Sequence, residues 1–145
     1  MVGITLRAVL DTSVLAAALR SRRGASFALL SAVGRSRLIP LATPALFLEY
    51  EAVLKRPEQR AASGFSVAEI DTLLRAMAGV IEAVEVHIAW RPQLRDPDDE
   101  LVFEAAINGR AEALVTHNIK DFVEAAPRFG LRVARPAEIV QELEL

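Results

Sequence analysis

Short apolar segments that alternate with helical segments limit the fold of this chain more than any other feature of its sequence. Strands are predicted at residues 6–10, 38–41, 81–88, 113–116 and 131–134. Helices are predicted at residues 12–19, 26–33, 44–56, 66–79, 96–109, 119–126 and 136–143. Brief, almost wholly apolar strands separated by helices are typical of a parallel sheet that is covered on both faces. The sequence therefore predicts the α/β class, and its 145 residues have the length of one domain.

Two of the helix starts have local signals. Thr43 is followed by Pro44, which is the order expected of an N-cap and a first helical residue. Ser66 and Glu69 have the spacing of a capping box. Both signals favour helices that begin at these residues.

The chain contains no cysteine and only two histidines, which restricts its chemistry. Disulfides, thiolate zinc sites and cysteine nucleophiles are excluded. A metal ion would have to be held mainly by oxygen ligands, which favours Mg²⁺ or Mn²⁺. The first residues lack the apolar region of a signal peptide, and the longest apolar runs are too short to span a bilayer. We expect a cytoplasmic protein with no membrane partner.

Basic residues are concentrated in the first third of the chain, although the formal net charge is −2. Asp11 is the only acid before Glu49, and six arginines lie in the same stretch. Arg20, Arg22 and Arg23 form a basic segment that could bind RNA phosphates. The alternative is that surface arginines cluster there by chance.

Asp11 is the first candidate for chemistry because it directly follows the first strand. In open parallel sheets, ligands bind beyond the carboxyl ends of the strands. The hydroxyls of Thr12 and Ser13 could orient this carboxylate or bind a water molecule on a metal. The alternative is that Asp11 serves only as the N-cap of the next helix.

Glu49 and Glu51 lie on the same predicted helix, and their neighbours distinguish them. Glu51 precedes Lys55 by one turn, which is a pairing typical of a solvent-exposed face. Glu49 has small and apolar neighbours, so it needs a partner such as a metal ion. The alternative is a half-exposed glutamate near Arg56.

The acid-dense segment 96–100 opens a later helix. Capping and the helix dipole account for Asp96 and Asp98. Asp99 is in line with Phe103 and Ala106, so we expect it to point with the buried stripe, unlike Glu100 and Glu104. Asp99 is therefore a candidate metal ligand.

The segment 116–121 follows another strand. Asn118 or Asp121 could complete a metal shell, with Thr116 positioning a water or a phosphate. The alternative is a capping box in which Asn118 caps a helix and Asp121 reaches back to it. Carboxylates gathered at neighbouring strand ends would repel one another unless a cation neutralised them.

With these residues, the sequence resembles the PIN-domain family of ribonucleases, and more narrowly the toxin components of bacterial toxin–antitoxin pairs (VapC-like). The resemblance lies in VLDTSVL (residues 9–15), TPALFLEYEAVLKRP (43–57), RDPDDELVFEAAINGRAEALVT (95–116) and HNIKDF (117–122). The segments follow the order found in the family and cover most of the chain. The resemblance implies a three-layer α/β/α sandwich with a central parallel sheet, formed by residues 1–145 as one PIN-like domain.

The resemblance also implies an Mg²⁺- or Mn²⁺-dependent endoribonuclease. Its catalytic and metal-binding acids would be Asp11, Glu49, Asp99 and Asp121. Asn118 stands where many members have Asp, so the fourth ligand stays open between Asn118 and Asp121, and Asp96 is a secondary candidate. The implied partners are RNA, a cognate antitoxin protein and a second copy of the chain in a homodimer. The apolar helices at 26–33 and 66–80 are candidate interfaces, with the alternative that they belong to the core.

Other functions fit less well. A halogenated-acid-type phosphatase needs a second Asp where this chain has Ser13, and a response-regulator receiver needs a different set of acids. A dinucleotide-binding domain needs a glycine-rich first turn, which this chain lacks at that position. The remaining alternative is a catalytically silent PIN-like module that binds RNA or a protein. Replaced acids would mark such a module, whereas Asp11, Glu49 and Asp99 are all present.

Overall fold

The structure is a computed structural model that describes residues 5–87 and 94–145. Its strands are β1 (Leu6–Leu10), β2 (Leu38–Ala42), β3 (Glu82–Ala83), β4 (Ala113–Val115) and β5 (Val133–Ala134). Its helices are α1 (Thr12–Arg20), α2 (Ala25–Gly34), α3 (Pro44–Leu54), α4 (Pro57–Ser63), α5 (Val67–Ala78), α6 (Pro97–Asn108) and α7 (Pro136–Glu142). Across the described residues, the strands form one parallel sheet in the order β3-β2-β1-β4-β5. The predicted α/β sandwich with a central parallel sheet is confirmed.

The centre of the sheet is buried on both faces. Ala8, Val9 and Leu10 of β1 have no exposed surface, and the three residues of β4 have none either. Because successive residues of a strand point to opposite faces, helices must cover both sides. Helix α6 packs across β1, β2 and β4, while α2 packs against α1 and α7. No helix in the described part of the chain is long and apolar enough to cross a membrane.

The predicted helix starts at the two capping signals are confirmed. The Thr43 side chain accepts a hydrogen bond from the backbone N–H of Leu46 at 3.1 Å. Ser66 and Glu69 form a reciprocal capping box. These bonds satisfy N–H groups that have no partner inside the helix.

Helix α6 approaches the sheet closely at its end. A Cβ atom at Gly109 would lie 2.8 Å from Leu41 Cδ2 and 2.8 Å from Val84 Cγ2. Any larger residue would push the end of α6 away from β2.

Three predicted elements differ in the structure. The helix predicted to reach Arg56 ends at Leu54, and the unpredicted helix α4 follows it. The strand predicted at 81–88 is only Glu82–Ala83 within the described residues, and residue 88 lies outside them. The helix predicted at 119–126 was wrong. Its place is taken by two 3₁₀ turns, Ile119–Asp121 and Ala126–Phe129. The tight i→i+3 bonds of the first turn bring Phe122 fully into the core.

Candidate functional site

Asp11 and Thr116 lie side by side at the carboxyl ends of β1 and β4. The two strands are neighbours in register, with Leu10 opposite Val115, and the Asp11 N–H donates to the Val115 carbonyl at 2.9 Å. Thr116 Oγ1 donates a hydrogen bond to Asp11 Oδ2 at 2.6 Å. Both side chains are buried. The expectation that the residues after these two strands meet at one edge of the sheet follows directly from the parallel register.

The Asp11 carboxylate is oriented by hydroxyl groups and does not cap α1 through its side chain. Asp11 occupies the N-cap position by its backbone conformation, but its side chain makes no capping bond. Ser13 Oγ donates to the same Oδ2 atom at 2.9 Å. In the described part of the chain, the hydrogen bonds to this carboxylate go to Oδ2, so Oδ1 is the oxygen left to a ligand.

Thr12 behaves differently from its neighbour Ser13. Its Oγ1 atom is buried and has no hydrogen-bond partner among the described residues. The hydroxyl that orients Asp11 from α1 is therefore that of Ser13. A buried hydroxyl without a hydrogen-bond partner costs free energy of folding.

Glu49 is held near the end of β1 by the residue that follows it. The Tyr50 hydroxyl donates a hydrogen bond to the backbone carbonyl of Leu10, and Tyr50 is fully buried. Burial raises the pKa of Tyr50, so its phenol stays protonated and donates. Glu49 itself is half-buried. The α3 helix is thus fixed against the strand end that precedes Asp11.

Glu49 and Glu51 have different charged neighbours in the structure. Burial is the main cause that raises the pKa of Glu49, followed by Asp98, while Arg56 lowers it and Asp96 and Asp11 raise it further. Glu51 lies 2.8 Å from Lys55, which also contacts Asp71 at 2.6 Å. Glu51 therefore belongs to a surface ion-pair network, and Glu49 faces the other acids.

Among the acids at this edge of the sheet, Asp99 has the most strongly raised pKa. Burial raises its pKa to about 7, with further contributions from Asp11, Asp96, Asp121 and Asp98 in that order. All of the charged groups that act on it are therefore carboxylates. Four separate segments of the chain contribute acids to one electrostatic field, which includes Asp11 just after β1 and Glu49 from α3.

The prediction that Asp99 points with the buried stripe of α6 while Glu100 and Glu104 point to solvent was wrong for the two glutamates. Glu100 and Glu104 are buried at 5% and 7% exposure, whereas Asp99 is only half-buried. A physical reason for Glu100 is its contact with Leu94, because the Leu94 N–H donates to the Glu100 carboxylate. The hydrophobic pattern of α6 alone assigns this face to solvent. Asp96 caps α6 by accepting from the Asp98 N–H at 2.8 Å, as the capping interpretation predicts.

Asn118 and Asp121 do not form a capping box. The Asn118 side chain makes no capping bond, and the Asp121 N–H donates to the backbone carbonyl of Asn118 at 3.0 Å. The Asn118 N–H donates to Thr116 Oγ1 at 2.9 Å, which ties the turn to the hydroxyl that holds Asp11. Asp121 is exposed and contributes to the field at Asp99.

A pocket of about 430 Å³ lies beside these acids. It is lined by Leu94, Arg95, Asp96, Asp99, Lys120, Asp121 and Glu124. Arg95, Lys120 and Glu124 were not predicted from the sequence as residues of the site. The position of Lys120 between Asn118 and Asp121 was an available signal.

The basic segment 20–23 lies at the end of α1 and is exposed. Ser26, near the start of α2, is buried and lies 2.8 Å from His117 Nε2. Because His117 directly follows Thr116, this contact brings the start of α2 to the edge that holds Asp11. Arg23 is three residues before Ser26, so it lies within roughly 11 Å of that contact along the backbone.

The described acids do not form a ready-made metal cage. Among residues 5–87 and 94–145, no group of three Asp, Glu or His side chains is arranged to hold a metal ion. The donor set nevertheless fits a hard divalent cation, because it consists of carboxylates whose mutual repulsion contributes to the raised pKa of Glu49 and of Asp99. A cation between them would relieve this repulsion.

Comparison with protein families identifies the class. The model of the PIN domain matches residues 7–120 of the chain. The chain therefore belongs to the PIN domain family, a nuclease fold. The match ends before β5, which pairs with β4 in the same sheet. No curated protein matches the chain closely enough to count as a relative.

Proposed function

We propose that the protein is a metal-dependent endoribonuclease that hydrolyses RNA phosphodiester bonds in the cytoplasm. One observation supports this most strongly: carboxylates from separate segments of the chain gather at the carboxyl ends of β1 and β4, where Ser13 and Thr116 orient Asp11. A fold that gathers carboxylates in spite of their repulsion is expected to use them on a cation. Membership of a nuclease family supports the same conclusion.

Asp11, Glu49 and Asp99 would hold the ion, and Asp121 or Asn118 would complete its shell. These ligands are all oxygen donors, which suits Mg²⁺ or Mn²⁺. Once bound, the ion would lower the pKa of a water nucleophile and neutralise charge that develops on the phosphate. Because ionised carboxylates are the better ligands, Asp99 would have to release its proton.

The residues around Asp11 prepare the site before any ion binds. Ser13 and Thr116 fix the carboxylate from two sides, at 2.9 and 2.6 Å. The bond from Tyr50 to the Leu10 carbonyl fixes the helix that presents Glu49. Such supporting contacts keep ligands in position and raise metal affinity.

Cleavage of RNA by the purified protein tests the proposal. We expect cleavage of a structured RNA with Mn²⁺, none with EDTA, and losses of at least about 100-fold in Asp11→Asn and Asp99→Asn variants. In-line attack by water would leave 5′-phosphate and 3′-hydroxyl ends. RNA binding without cleavage would favour the silent module instead, and undiminished cleavage by both variants would rule out the metal-acid mechanism.

We further propose that the nuclease is the toxin of a toxin–antitoxin pair. This rests on the resemblance of the four sequence segments, and nothing in the chain identifies the antitoxin. Induced expression of the wild-type chain should arrest bacterial growth, and Asp11→Asn should not. Relief of the arrest by a small protein encoded beside the gene would support the pairing. Unimpaired growth at a verified level of folded protein would contradict it.

A further inference from the structure

Two cations share a pocket with the acids of the site. Lys120 lies on the turn Ile119–Asp121, and Arg95 lies just before α6. They are 25 positions apart in the sequence, yet both line the pocket of about 430 Å³ that contains Asp96, Asp99 and Asp121. A volume in this range is typical of ligand pockets in proteins.

Neither cation makes a contact that stabilises the described part of the fold. In the part of the chain that the structure describes, Lys120 and Arg95 form no ion pair and donate no hydrogen bond. Other cations are engaged, since Lys55 contacts two acids and Arg132 lies 2.6 Å from Glu142. Both pocket cations are exposed. Their charges are therefore available to a ligand.

The two cations face the same pocket as the acids Asp96, Asp99 and Asp121. An acidic edge repels the phosphates of RNA, so unpaired cations next to it would offset that repulsion during binding.

We propose that Lys120 and Arg95 bind a backbone phosphate of the RNA next to the phosphate that is cleaved. The inference rests on the proposed function for its choice of ligand. Arg95 can engage two phosphate oxygens through its planar guanidinium, and Lys120 acts as a compact charge. Both are substrate-binding residues and do not hold the metal.

RNA affinity measured without cleavage tests this assignment. The probe is a short fluorescent single-stranded RNA, titrated with the full chain in Ca²⁺ and again in EDTA over a range of salt concentrations. Lys120→Ala and Arg95→Ala should each raise Kd about 5- to 10-fold. Each should also reduce the slope of log Kd against log salt by about 0.7. Lys120→Arg should retain most of the affinity.

Arg35→Ala is the matched control. Arg35 is exposed at the end of α2, close to Arg37, whose carbonyl accepts from the first residue of β1, so it lies at the opposite edge of the sheet. This control should bind RNA as the wild type does. Lys120→Ala or Arg95→Ala variants with the affinity and salt slope of Arg35→Ala would overturn the proposal, and so would a wild-type chain that binds no RNA.

The result separates this proposal from the nuclease proposal. Weakened binding by Lys120→Ala in a protein that never cleaves RNA would support the phosphate subsite and refute the nuclease. Cleavage by the wild type with normal binding by both alanine variants would do the reverse. Thermal unfolding should not change in either variant, because neither side chain has a partner among the described residues.

Discussion

Thr116 Oγ1 donates a hydrogen bond to Asp11 Oδ2 at 2.6 Å across the ends of two neighbouring parallel strands. The same oxygen of Thr116 accepts from the Asn118 N–H at 2.9 Å. One buried hydroxyl thus connects the first acid of the site to the turn that carries Asn118 and Asp121. The hydrogen bonds from Thr116 to Asp11 and from Asn118 to Thr116 hold distant parts of the sequence at one edge of the sheet.

Thr116→Val should weaken the site while keeping the shape of the side chain. It removes one of the two hydroxyls that hold Asp11 and leaves the Asn118 N–H without its acceptor. We expect a loss of about 1–3 kcal/mol in the free energy of unfolding and about a tenfold loss in cleavage rate. Thr116→Ser is the control, since it keeps the hydroxyl and should keep most of the activity. Equal cleavage by Thr116→Val and wild type would show that this bond does not position Asp11.

Glu49→Gln and Glu51→Gln form a matched pair on α3. Both changes remove one negative charge at nearly constant size, but only Glu49 lies in the field of Asp11, Asp96 and Asp98. Glu49→Gln should weaken Mn²⁺ binding at least tenfold and abolish most cleavage. Glu51→Gln should leave both within about twofold and cost a few tenths of a kcal/mol from its pair with Lys55. Calorimetric titration with Mn²⁺ compares them, and similar losses in both variants would contradict the assignment.

The raised pKa of Asp99 predicts an unusual dependence of stability on pH in metal-free buffer. Burial and the neighbouring carboxylates raise the pKa of Asp99 from its ordinary 3.8 to about 7, so the folded state binds the proton more tightly than the unfolded state. This contribution to stability is complete below about pH 4 and is lost as pH rises to about 7. Asp99→Asn cannot lose it and should be more stable than wild type at pH 8.

The expected gain for Asp99→Asn at pH 8 is on the order of 1 kcal/mol, reduced by solvent screening because Asp99 is half-exposed. Urea unfolding at pH 5 and pH 8 with EDTA present measures it. The difference between variant and wild type should be larger at pH 8 than at pH 5. A difference that does not change with pH would show that the Asp99 carboxyl has an ordinary pKa.

The basic segment 20–23 should contribute to RNA binding and not to the chemical step. The contact between Ser26 and His117 brings it near the acids, and all three of its arginines are exposed. Arg22→Ala with Arg23→Ala should raise KM several-fold, leave kcat within about twofold and reduce the salt dependence of binding. A fall in kcat without a change in KM would assign these arginines to another role.

Local signals predicted much of this fold. The caps at Thr43 and Ser66 and the apolar strands β1, β2 and β4 depend on residues close in sequence. The strand-end rule also led to Asp11 and Thr116 as neighbours, because parallel strands end at one edge. Helix α4 could have been predicted, since Pro57 begins it and Gly64 ends it in the left-handed conformation with φ 77°.

The remaining features depend on contacts between distant segments. Glu100 accepts a hydrogen bond from the Leu94 N–H, and helix periodicity contains no information about that contact. The contact between Ser26 and His117 joins residues 91 positions apart and has no local signal. The raised pKa of Asp99 depends on burial and on Asp11, which lies beyond β1 and far from α6 in the sequence, so it also requires the folded structure.

A crystal structure of the protein with bound Mn²⁺ tests the central claim most directly. The described acids act on one another electrostatically, but no three of them are arranged to hold a metal ion. Their carboxylates would therefore have to move closer together when the ion binds. We predict an anomalous peak within roughly 2 Å of carboxylate oxygens from both Asp11 and Asp99, with Glu49 bound directly or through water. A fully occupied manganese site elsewhere, with Asp11 and Asp99 still apart, would contradict it.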